Sequence, residues 1–259
     1  MRLANEEQTM SYIKLSPRMQ AIADMTDKRC VADIGCDHAF ISIYLIQSCR
    51  ADRVIAADIR QGPLDIARNN IDMYSLSSRI DTRLSDGFDK LAVGEAEQAI
   101  ISGMGGELII GILEKGKAQL EHGIGLILQP QSEPEKVRRY LLETGYIIID
   151  ERMLIDEGKY YVVIKAVPCG KSDVCDRSDV NSHNNRHSEY TDYSDAEFLY
   201  GKLLIQRKDS VLKEYLLWQL HKNKELIDKL SDVKTDNSMK KILELKKDVK
   251  MIEGVLDCF

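Results

Sequence analysis

The sequence lacks long hydrophobic runs, paired cysteines and an apolar leader, and each absence excludes a class of protein. No stretch approaches the roughly 18 apolar residues that a membrane-spanning helix requires, so no membrane segment is predicted. The first seven residues, MRLANEE, are too polar for a signal peptide. The 6 cysteines show no C-x-x-C spacing, which argues against a zinc site and favours free thiols in a reducing compartment. We therefore expect a cytoplasmic protein without a metal.

The chain also lacks G-x-G-x-x-G, the fingerprint that shapes a backbone turn around a pyrophosphate. Residues 31–39 instead read VADIGCDHA, an apolar strand that enters a turn of the form D-x-G-x-D-x-A. A helical pattern over 40–49 and a second strand ending on Asp58 follow, the order in which doubly wound α/β sheets hold a nucleoside cofactor. The turn carries acidic residues at positions where a phosphate site would need free backbone amides. The predicted cofactor is therefore the cationic S-adenosylmethionine (SAM).

Short apolar strands alternate with helical patterns up to residue 144, which predicts a parallel sheet covered by helices. Ser16 and Pro17 open a first helix to about residue 27, and Ser132 is placed to cap the last one. A strand pair over 146–155 and 160–167 then predicts a hairpin, a feature of seven-stranded methyltransferases rather than of dehydrogenase nucleotide domains. The predicted strands are 30–34, 53–58, 80–84, 97–102 and 124–129, and the predicted helices are 40–49, 63–75, 105–117 and 133–144.

The C-terminal part differs in composition and charge. Residues 169–195 are rich in Ser, Asp and Asn without periodicity, which predicts a polar linker or flexible loop. From residue 197 onward, leucines recur at helical spacing up to a break at 235–238, which predicts two amphipathic helices in an antiparallel hairpin, or coiled coil. Residues 201–250 hold 13 Lys and Arg against 8 Asp and Glu, while the whole chain carries a net charge of -6. The predicted domains are 1–168, the linker 169–195 and the helical hairpin 196–259.

Three acids lie where predicted strands end, at the sheet edge where cofactors bind in this fold class. Asp58 offers two oxygens for the ribose hydroxyls, Asp86 can accept from the adenine amino group, and Asp33 or Asp37 can meet the methionine ammonium. Each acid alone is equally a turn or capping residue, so the prediction depends on all three together. The predicted cofactor residues are Asp33, Gly35, Cys36, Asp37, His38, Asp58, Ile59, Asp86, Gly87 and Gly103.

A glycine-rich segment, ISGMGG, follows the fourth predicted strand, beside which methyltransferases place the acceptor atom. It contains neither a D/N-P-P-Y/F motif nor a cysteine, and its glycines leave room for a flat ring; the alternative is a tight strand–helix turn. Cys36 is predicted to line the cofactor turn rather than to act as a nucleophile. His38 either contacts a ligand or caps the helix at 40–49. The predicted positioning residues are Gly103, Met104, Gly105 and Gly106, with Asp37 and His38 as candidate catalytic groups.

The segments LSPR (15–18), VADIGCDHA (31–39), SDG (85–87), GMGG (103–106) and QPQ (129–131) together resemble the TrmK family of bacterial tRNA adenine-N1 methyltransferases, which modify adenosine 22. The resemblance is strong over about residues 10–168, and the basic helical region matches the family's C-terminal coiled coil in kind. The chain departs from the family pattern at Phe40-Ile41-Ser42, where Tyr-Leu-Pro is expected, and in its long polar segment near 170–195.

The resemblance implies a class I, Rossmann-like SAM-dependent methyltransferase that acts on tRNA, and we expect a monomer. Basic residues would contact phosphates, whereas charge alone favours a solvated helix face. Three alternatives stay open: a methyltransferase for another RNA or a small molecule, a nicotinamide-dependent oxidoreductase, and a non-enzymatic interaction module on a degenerate Rossmann-like domain. The predicted RNA-binding residues are Lys14, Arg18, Lys202, Arg207, Lys208, Lys213, Lys222 and Lys224.

Overall fold

The computed structural model describes residues 12–170, 192–232 and 235–259. Its strands are β1 (Cys30–Ile34), β2 (Arg53–Asp58), β3 (Ile80–Leu84), β4 (Gln98–Gly105), β5 (Gly125–Ser132), β6 (Tyr146–Asp156) and β7 (Lys159–Pro168). Its helices before the polar segment are α1 (Pro17–Asp24), α2 (Phe40–Gln47), α3 (Gln61–Met73), α4 (Gly106–Lys115), α5 (Lys117–His122) and α6 (Pro134–Glu143). After that segment come α7 (Asp195–Tyr200), α8 (Lys202–Gln206), α9 (Ser210–Ser231) and α10 (Asp236–Leu256).

The strands form one 7-stranded sheet in the order β3-β2-β1-β4-β5-β7-β6. β1 lies parallel to both β2 and β4, and β2 lies parallel to β3. β6 and β7 are antiparallel, with a register shift between Ile148 and Asp150. This order confirms the predicted α/β fold with a closing hairpin, a Rossmann-like methyltransferase architecture, and it brings the carboxyl ends of β1, β2 and β3 to one edge.

The predicted bounds of β1, β2 and β3 are confirmed, whereas the other predicted strands and helices begin or end at other residues. β5 spans Gly125–Ser132 instead of 124–129, and α2 and α3 each end two residues earlier than predicted. β4 continues through Gly105 instead of ending at Ser102. The predicted helix at 105–117 is two helices, because Gly116 interrupts it. A Cβ at Gly116 would lie 2.2 Å from the Phe88 ring, so only glycine fits at this position without a shift of the ring or the backbone.

The capping prediction is confirmed for α1 and wrong for α6. Ser16 caps α1 by accepting a hydrogen bond from the Met19 amide, and Pro17 occupies the first turn. The residue that precedes α6 is Glu133, in a left-handed conformation with φ of 54° and without a side-chain cap. Ser132 still belongs to β5, so its hydroxyl is one residue too early to cap the helix.

The chain divides into two compact units by its internal contacts. The first comprises residues up to Ser102 together with Gly111–Leu128, and its buried residues include Ile55 and Ile100. The second comprises Gly103–Ile110 together with Gln129–Phe259, and it buries residues such as Val163 and Ile252. β4 and β5 each contribute residues to both units, since the divisions fall within these strands.

The prediction of one long helix after residue 197 is wrong, because three helices occupy that stretch. Gly201, with φ of 92°, separates α7 from α8. Asp209 starts α9 by accepting hydrogen bonds from the amides of Val211 and Leu212, both at 3.0 Å. Most of the predicted linker, residues 171–191, lies outside the described residues, and α7 begins at Asp195, the last residue of that predicted linker.

The last two helices, α9 and α10, pack against each other, and Lys224 Nζ lies 2.9 Å from Glu253 Oε1. α10 begins within the predicted break, where Thr235 and Ser238 form a capping box. The antiparallel coiled-coil arrangement stays a prediction. Among the described residues, no helix combines the length and the apolar character that crossing a bilayer demands.

A buried ion pair connects α6, β6 and the short helices α7 and α8 within the second unit. Arg138 Nε donates to Glu151 Oε1 at 2.7 Å, and the two side chains are 1% and 0% exposed. The Arg138 guanidinium also donates to the carbonyl of Phe198, and the second Glu151 oxygen accepts from the Leu203 amide. Gly201 closes the cluster, since a Cβ there would lie 2.9 Å from both Glu151 oxygens.

Candidate functional site: the acidic edge and the glycine segment

The turn after β1 follows an unusual backbone path. The amides of Gly35 and Cys36 both donate to the Ala57 carbonyl, at 2.7 and 3.0 Å, so the turn folds against the end of β2. Gly35 has φ of 73°, and two residues that are not glycine, Asp37 and Ala39, have φ of 49° and 59°. Left-handed backbone at non-glycine residues costs free energy and is concentrated at ligand sites. The turn is therefore held in place by its contacts rather than by local preference.

Asp33 is a buried carboxylate at the base of this turn, and its side chain is 3% exposed. Ser42 Oγ, one turn into α2, donates to Asp33 Oδ2 at 2.6 Å. Burial raises the pKa of Asp33 to about 6, the Ser42 hydrogen bond opposes this rise, and the nearby Asp58 charge adds to it. The described residues place no Lys or Arg in an ion pair with Asp33, so its charge has no cationic partner.

Asp58 joins the ends of three strands. One of its oxygens accepts from the Asp37 amide at 3.2 Å, and the other accepts from the Arg60 amide at 2.9 Å. Its carbonyl accepts from the Ser85 amide at 2.9 Å, which fixes the start of the loop after β3. Asp58 is 4% exposed, whereas the next residue, Ile59, is 62% exposed. The edge therefore presents a carboxylate beside an apolar side chain.

Asp86 lies in the loop after β3, where Lys115 Nζ donates to its Oδ2 at 2.6 Å. Asp86 raises the pKa of Lys115, so this amine stays charged. The buried Ser85 hydroxyl shapes the loop by donating to the Gly87 carbonyl and accepting from the Lys90 amide. Gly87 has φ of 57°, and a Cβ there would lie 3.0 Å from Ile112. Glycine is thus required for the loop conformation.

Cys36 and His38 have different surroundings. Burial and the neighbouring carboxylates Asp33 and Asp58 raise the pKa of the Cys36 thiol, so it stays protonated and is a weak nucleophile. His38 lies edge-on to Phe40, its Nε2 is 3.8 Å from Asp37 Oδ1, and its carbonyl accepts from the Asn70 amide group. The residue at the start of α2 is Ala39, without a side-chain cap, so His38 does not cap this helix.

The glycine segment at the end of β4 belongs to the second unit. Gly103, with φ of 78°, donates its amide to Gln129 Oε1 at 3.1 Å, and the Gln129 side chain is fully buried. A Cβ at Gly106 would lie 2.8 Å from the carbonyl oxygens of Ser132 and Glu133. Backbone packing therefore explains why Gly106 has no side chain, which agrees with the predicted alternative of a tight turn. Gly103 differs, because it is exposed.

The chain matches a family model described as a methyltransferase domain over residues 15–164. It is also 32% identical to the tRNA (adenine(22)-N(1))-methyltransferase of Bacillus subtilis over 251 residues, which cover 96% of this chain and 99% of that protein. The chain belongs to the TrmK family of methyltransferases.

Solved structures agree with this membership. The crystal structure of the B. subtilis m1A22 tRNA methyltransferase TrmK matches with a TM-score of 0.77 at 31% identity, covering 94% of this chain and 99% of that one. A Streptococcus pneumoniae protein solved in complex with SAM matches in fold, with a TM-score of 0.75 at 24% identity, covering 94% and 100%. The TrmK fold is thus shared along nearly the whole length of the chain.

The basic residues predicted for RNA differ in how they are held in this TrmK family member. Arg207 donates to Asp150 Oδ1 at 2.7 Å and to the carbonyls of Leu203 and Glu151, so it supports the contact between α8 and β6. Lys202 donates to the Asp192 carbonyl at 2.6 Å. The exposed members are Lys14, Arg207, Lys208, Lys213, Lys222 and Lys224, while Arg18 and Lys202 are half-buried.

Sequence reasoning from the residues missed two groups that contact predicted site residues, Ser42 and Lys115. Ser42 lies in the otherwise apolar helix α2, and a lone buried hydroxyl on such a helix was the available signal. Lys115 contacts Asp86 across 29 residues of sequence, and no local pattern indicates that pairing.

Proposed function

We propose that this TrmK family member transfers the methyl group of SAM to N1 of adenosine 22 in tRNA. The observation that carries the proposal is the match to the B. subtilis enzyme of that name, at 32% identity over 99% of its length. The acidic edge built by Asp33, Asp58 and Asp86 supports the cofactor part of the proposal independently. The cytoplasmic location, the domain division and the monomeric state stay predictions of the sequence.

The residues of the acidic edge fit SAM. Asp33 is a buried carboxylate that makes no ion pair with a Lys or Arg among the described residues, and burial, which raises its pKa, disfavours its unpaired negative charge. The methionine ammonium would supply the missing positive charge. Asp58 already accepts one backbone hydrogen bond on each oxygen, and each oxygen keeps acceptor capacity for a ribose hydroxyl. Asp86 would accept from the adenine amino group, and Ile59 would cover the ring.

When bound, SAM supplies an electrophilic methyl group on sulfur, which the in-plane lone pair of neutral adenine N1 can attack without prior deprotonation. This chain therefore needs to position its substrates rather than to provide a strong base. Asp37 and His38, 3.8 Å apart, border the turn and are candidates for handling the proton that the product later loses. Cys36 is excluded as a nucleophile by its raised pKa.

The glycine segment would position the acceptor. Gly103 is exposed at the end of β4, and Gln129 fixes its amide, so the backbone there is rigid and free of side-chain bulk. Met104 is partly exposed beside it and can contact a ring face. Because N1 lies on the Watson–Crick edge, the target base must be unpaired or turned out of its stack to react.

The decisive experiment measures methyl transfer from labelled SAM to an unmodified tRNA transcript and to the same transcript with adenosine 22 changed to guanosine. We expect transfer to the first transcript only, with N1-methyladenosine identified after nuclease digestion. Equal transfer to both would retain methyltransferase activity and refute the assignment to adenosine 22. Calorimetry measures SAM binding by the wild type and by Asp58→Ala in parallel. A wild type that binds SAM but methylates neither transcript uses another acceptor, whereas absence of SAM binding refutes the cofactor assignment.

A further inference from the structure

The second unit contains a cavity of about 280 Å³ that the cofactor and acceptor assignments above do not use. It is bounded by the end of β5, the β6–β7 hairpin and helices α6, α7, α8 and α9. We call it the tyrosine cavity, because tyrosines form much of its wall. Its aromatic and polar lining comprises Gln131, Ser132, Tyr160, Tyr161, Tyr200 and Tyr215.

The volume and charge of the tyrosine cavity restrict what it can hold. Its volume is just below the range of about 300–1,000 Å³ that is usual for sites of drug-sized molecules, so it suits one flat ring rather than a whole dinucleotide. Arg138 also lines the cavity, but its guanidinium is paired with Glu151 and donates to the carbonyls of Phe198 and Leu199. Because that charge is neutralised, the interior favours a neutral ring over an anion.

The aromatic wall continues from the cavity to the protein surface. The ring centroids of Tyr160 and Tyr215 are 5.1 Å apart, and each lies 5.9 Å from that of Trp218. Trp218 is 44% exposed, although large aromatic side chains are usually covered. Lys222 Nζ lies 4.2 Å above the Trp218 ring, which places a cation at the outer end of the wall.

Within this wall Trp218 is exposed, whereas Tyr160 and Tyr215 are half-buried behind it. Aromatic rings beside a lysine are the combination that holds single-stranded nucleic acid, in which bases stack on the rings and cations contact phosphates. The cavity also adjoins the glycine segment, because its lining residue Ser132 has its hydroxyl 3.2 Å from where a Cβ on Gly105 would lie. We propose that the tyrosine cavity binds a second unpaired nucleobase of the RNA substrate, separate from the target adenine, with its phosphate at Lys222. This inference rests on the proposed function, since it assumes an RNA substrate.

The chain contains 1 tryptophan, so its intrinsic tryptophan fluorescence reports on Trp218 alone. The experiment titrates the full-length protein with the unmodified tRNA transcript and follows this fluorescence, while filter binding measures the affinity independently. We expect saturable quenching with the same Kd by both methods. AMP at millimolar concentration serves as the small-molecule probe, and we expect it to leave the fluorescence unchanged.

Variants then separate stacking from chemistry. Trp218→Leu and Tyr215→Leu should each raise KM for tRNA by about 5- to 150-fold, the range for loss of one base–aromatic stack, with kcat and SAM affinity unchanged. Leu217→Ala and Leu226→Ala are matched controls, because both are exposed residues of α9 outside the cavity lining. Lys222→Gln removes the cation above the Trp218 ring while it keeps all three aromatic side chains, and it should lower the salt dependence of tRNA binding.

The outcomes distinguish this inference from the proposed function. Bound tRNA without any change in Trp218 fluorescence, or an unchanged KM in both leucine variants while methyl transfer proceeds, would overturn the inference alone. Quenching by AMP at tRNA-like affinity would also overturn it, in favour of a small-molecule site. Quenching by RNA together with no methylation of adenosine 22 would support the cavity's role and refute the acceptor assignment.

Discussion

Ser42, in the first turn of α2, donates a hydrogen bond of 2.6 Å to the buried carboxylate of Asp33. The hydrogen bond stabilises the charged form of Asp33, whereas burial favours the neutral form and raises the pKa to about 6. Asp33 is therefore ionised at neutral pH, although burial destabilises its charged form. A cation that binds here gains more than it would at a solvated carboxylate.

Asp33→Asn should stabilise the ligand-free protein at pH 7 and weaken SAM binding. The folded-state pKa of Asp33 is raised from 3.8 to about 6, so the folded protein binds more protons than the unfolded chain between these values. Stability due to Asp33 thus falls as pH rises through that window, by roughly 3 kcal/mol at about 1.4 kcal/mol per pKa unit. Urea unfolding at pH 4 and pH 7, compared between the wild type and the variant, measures the difference.

Two controls accompany that prediction. Asp52→Asn changes an exposed carboxylate and should leave the pH difference as in the wild type. Ser42→Ala removes the hydrogen bond that lowers the Asp33 pKa, so the loss of stability should extend to higher pH. An Asp33→Asn protein with the same pH dependence as the wild type would contradict the assignment of this carboxylate.

Asp58→Asn should weaken binding of S-adenosylhomocysteine by about 10- to 150-fold, because a hydrogen bond to a charged group contributes roughly 1.5–3 kcal/mol. The loss should shrink for the 2′-deoxy analogue, which lacks one of the hydroxyls that Asp58 would accept from. Calorimetry with both ligands gives this comparison. Asp52→Asn is the matched control, since Asp52 lies just before the opposite end of β2. An equal loss for both ligands would indicate a purely structural role for Asp58.

Gly106→Ala should destabilise the protein and reduce methyl transfer, because the new Cβ would lie 2.8 Å from two carbonyl oxygens that cannot move independently. Gly111→Ala, in the same helix, has nothing within 4 Å of its Cβ position and should be neutral or stabilise by about 0.5–1 kcal/mol. Thermal unfolding of both variants tests the contrast. Similar melting temperatures of the two variants would show that the backbone near Gly106 shifts at little cost to accommodate the new Cβ.

Arg207 and Lys208 are adjacent basic residues with different expected roles. Arg207→Gln should lower stability and leave the salt dependence of tRNA binding unchanged, because its guanidinium is bonded to Asp150 and to backbone carbonyls. Lys208→Gln should reduce the slope of log K against log salt by about 0.7–0.9, the value for one phosphate contact, without loss of stability. Filter binding of tRNA across a salt series measures both slopes. A reduced slope in Arg207→Gln with an unchanged slope in Lys208→Gln would contradict both assignments.

The sequence predicted the sheet well, because strand and helix periods and acids at strand ends are local signals. β1, β2 and β3 have the predicted bounds, and the hairpin after residue 146 is confirmed. What it could not predict depends on contacts between distant residues. Gly116, which lies against the Phe88 ring, interrupts the helix predicted at 105–117, and Lys115 pairs with Asp86. Neither contact between distant residues produces a local sequence pattern that could predict it.

The predicted site residues occupy the acidic edge and the glycine segment in the structure, and their roles stay predictions. The clearest revision concerns the glycines, since the sequence pattern alone cannot tell a glycine that leaves room for a ligand from one that leaves room for backbone. Gly106 is of the second kind. Arg207 is a similar case, because charge alone does not reveal that its guanidinium is already bonded.

The cluster of Arg138, Glu151 and Gly201 bears on how this protein can evolve. Losing either charged partner leaves the other buried without compensation, at a cost of about 3–5 kcal/mol, and any side chain at Gly201 meets the carboxylate. A domain has only about 5–15 kcal/mol of stability to lose. Changes at these three positions are therefore expected to occur together or not at all, so lineages that keep the C-terminal helices should inherit the three residues as a set.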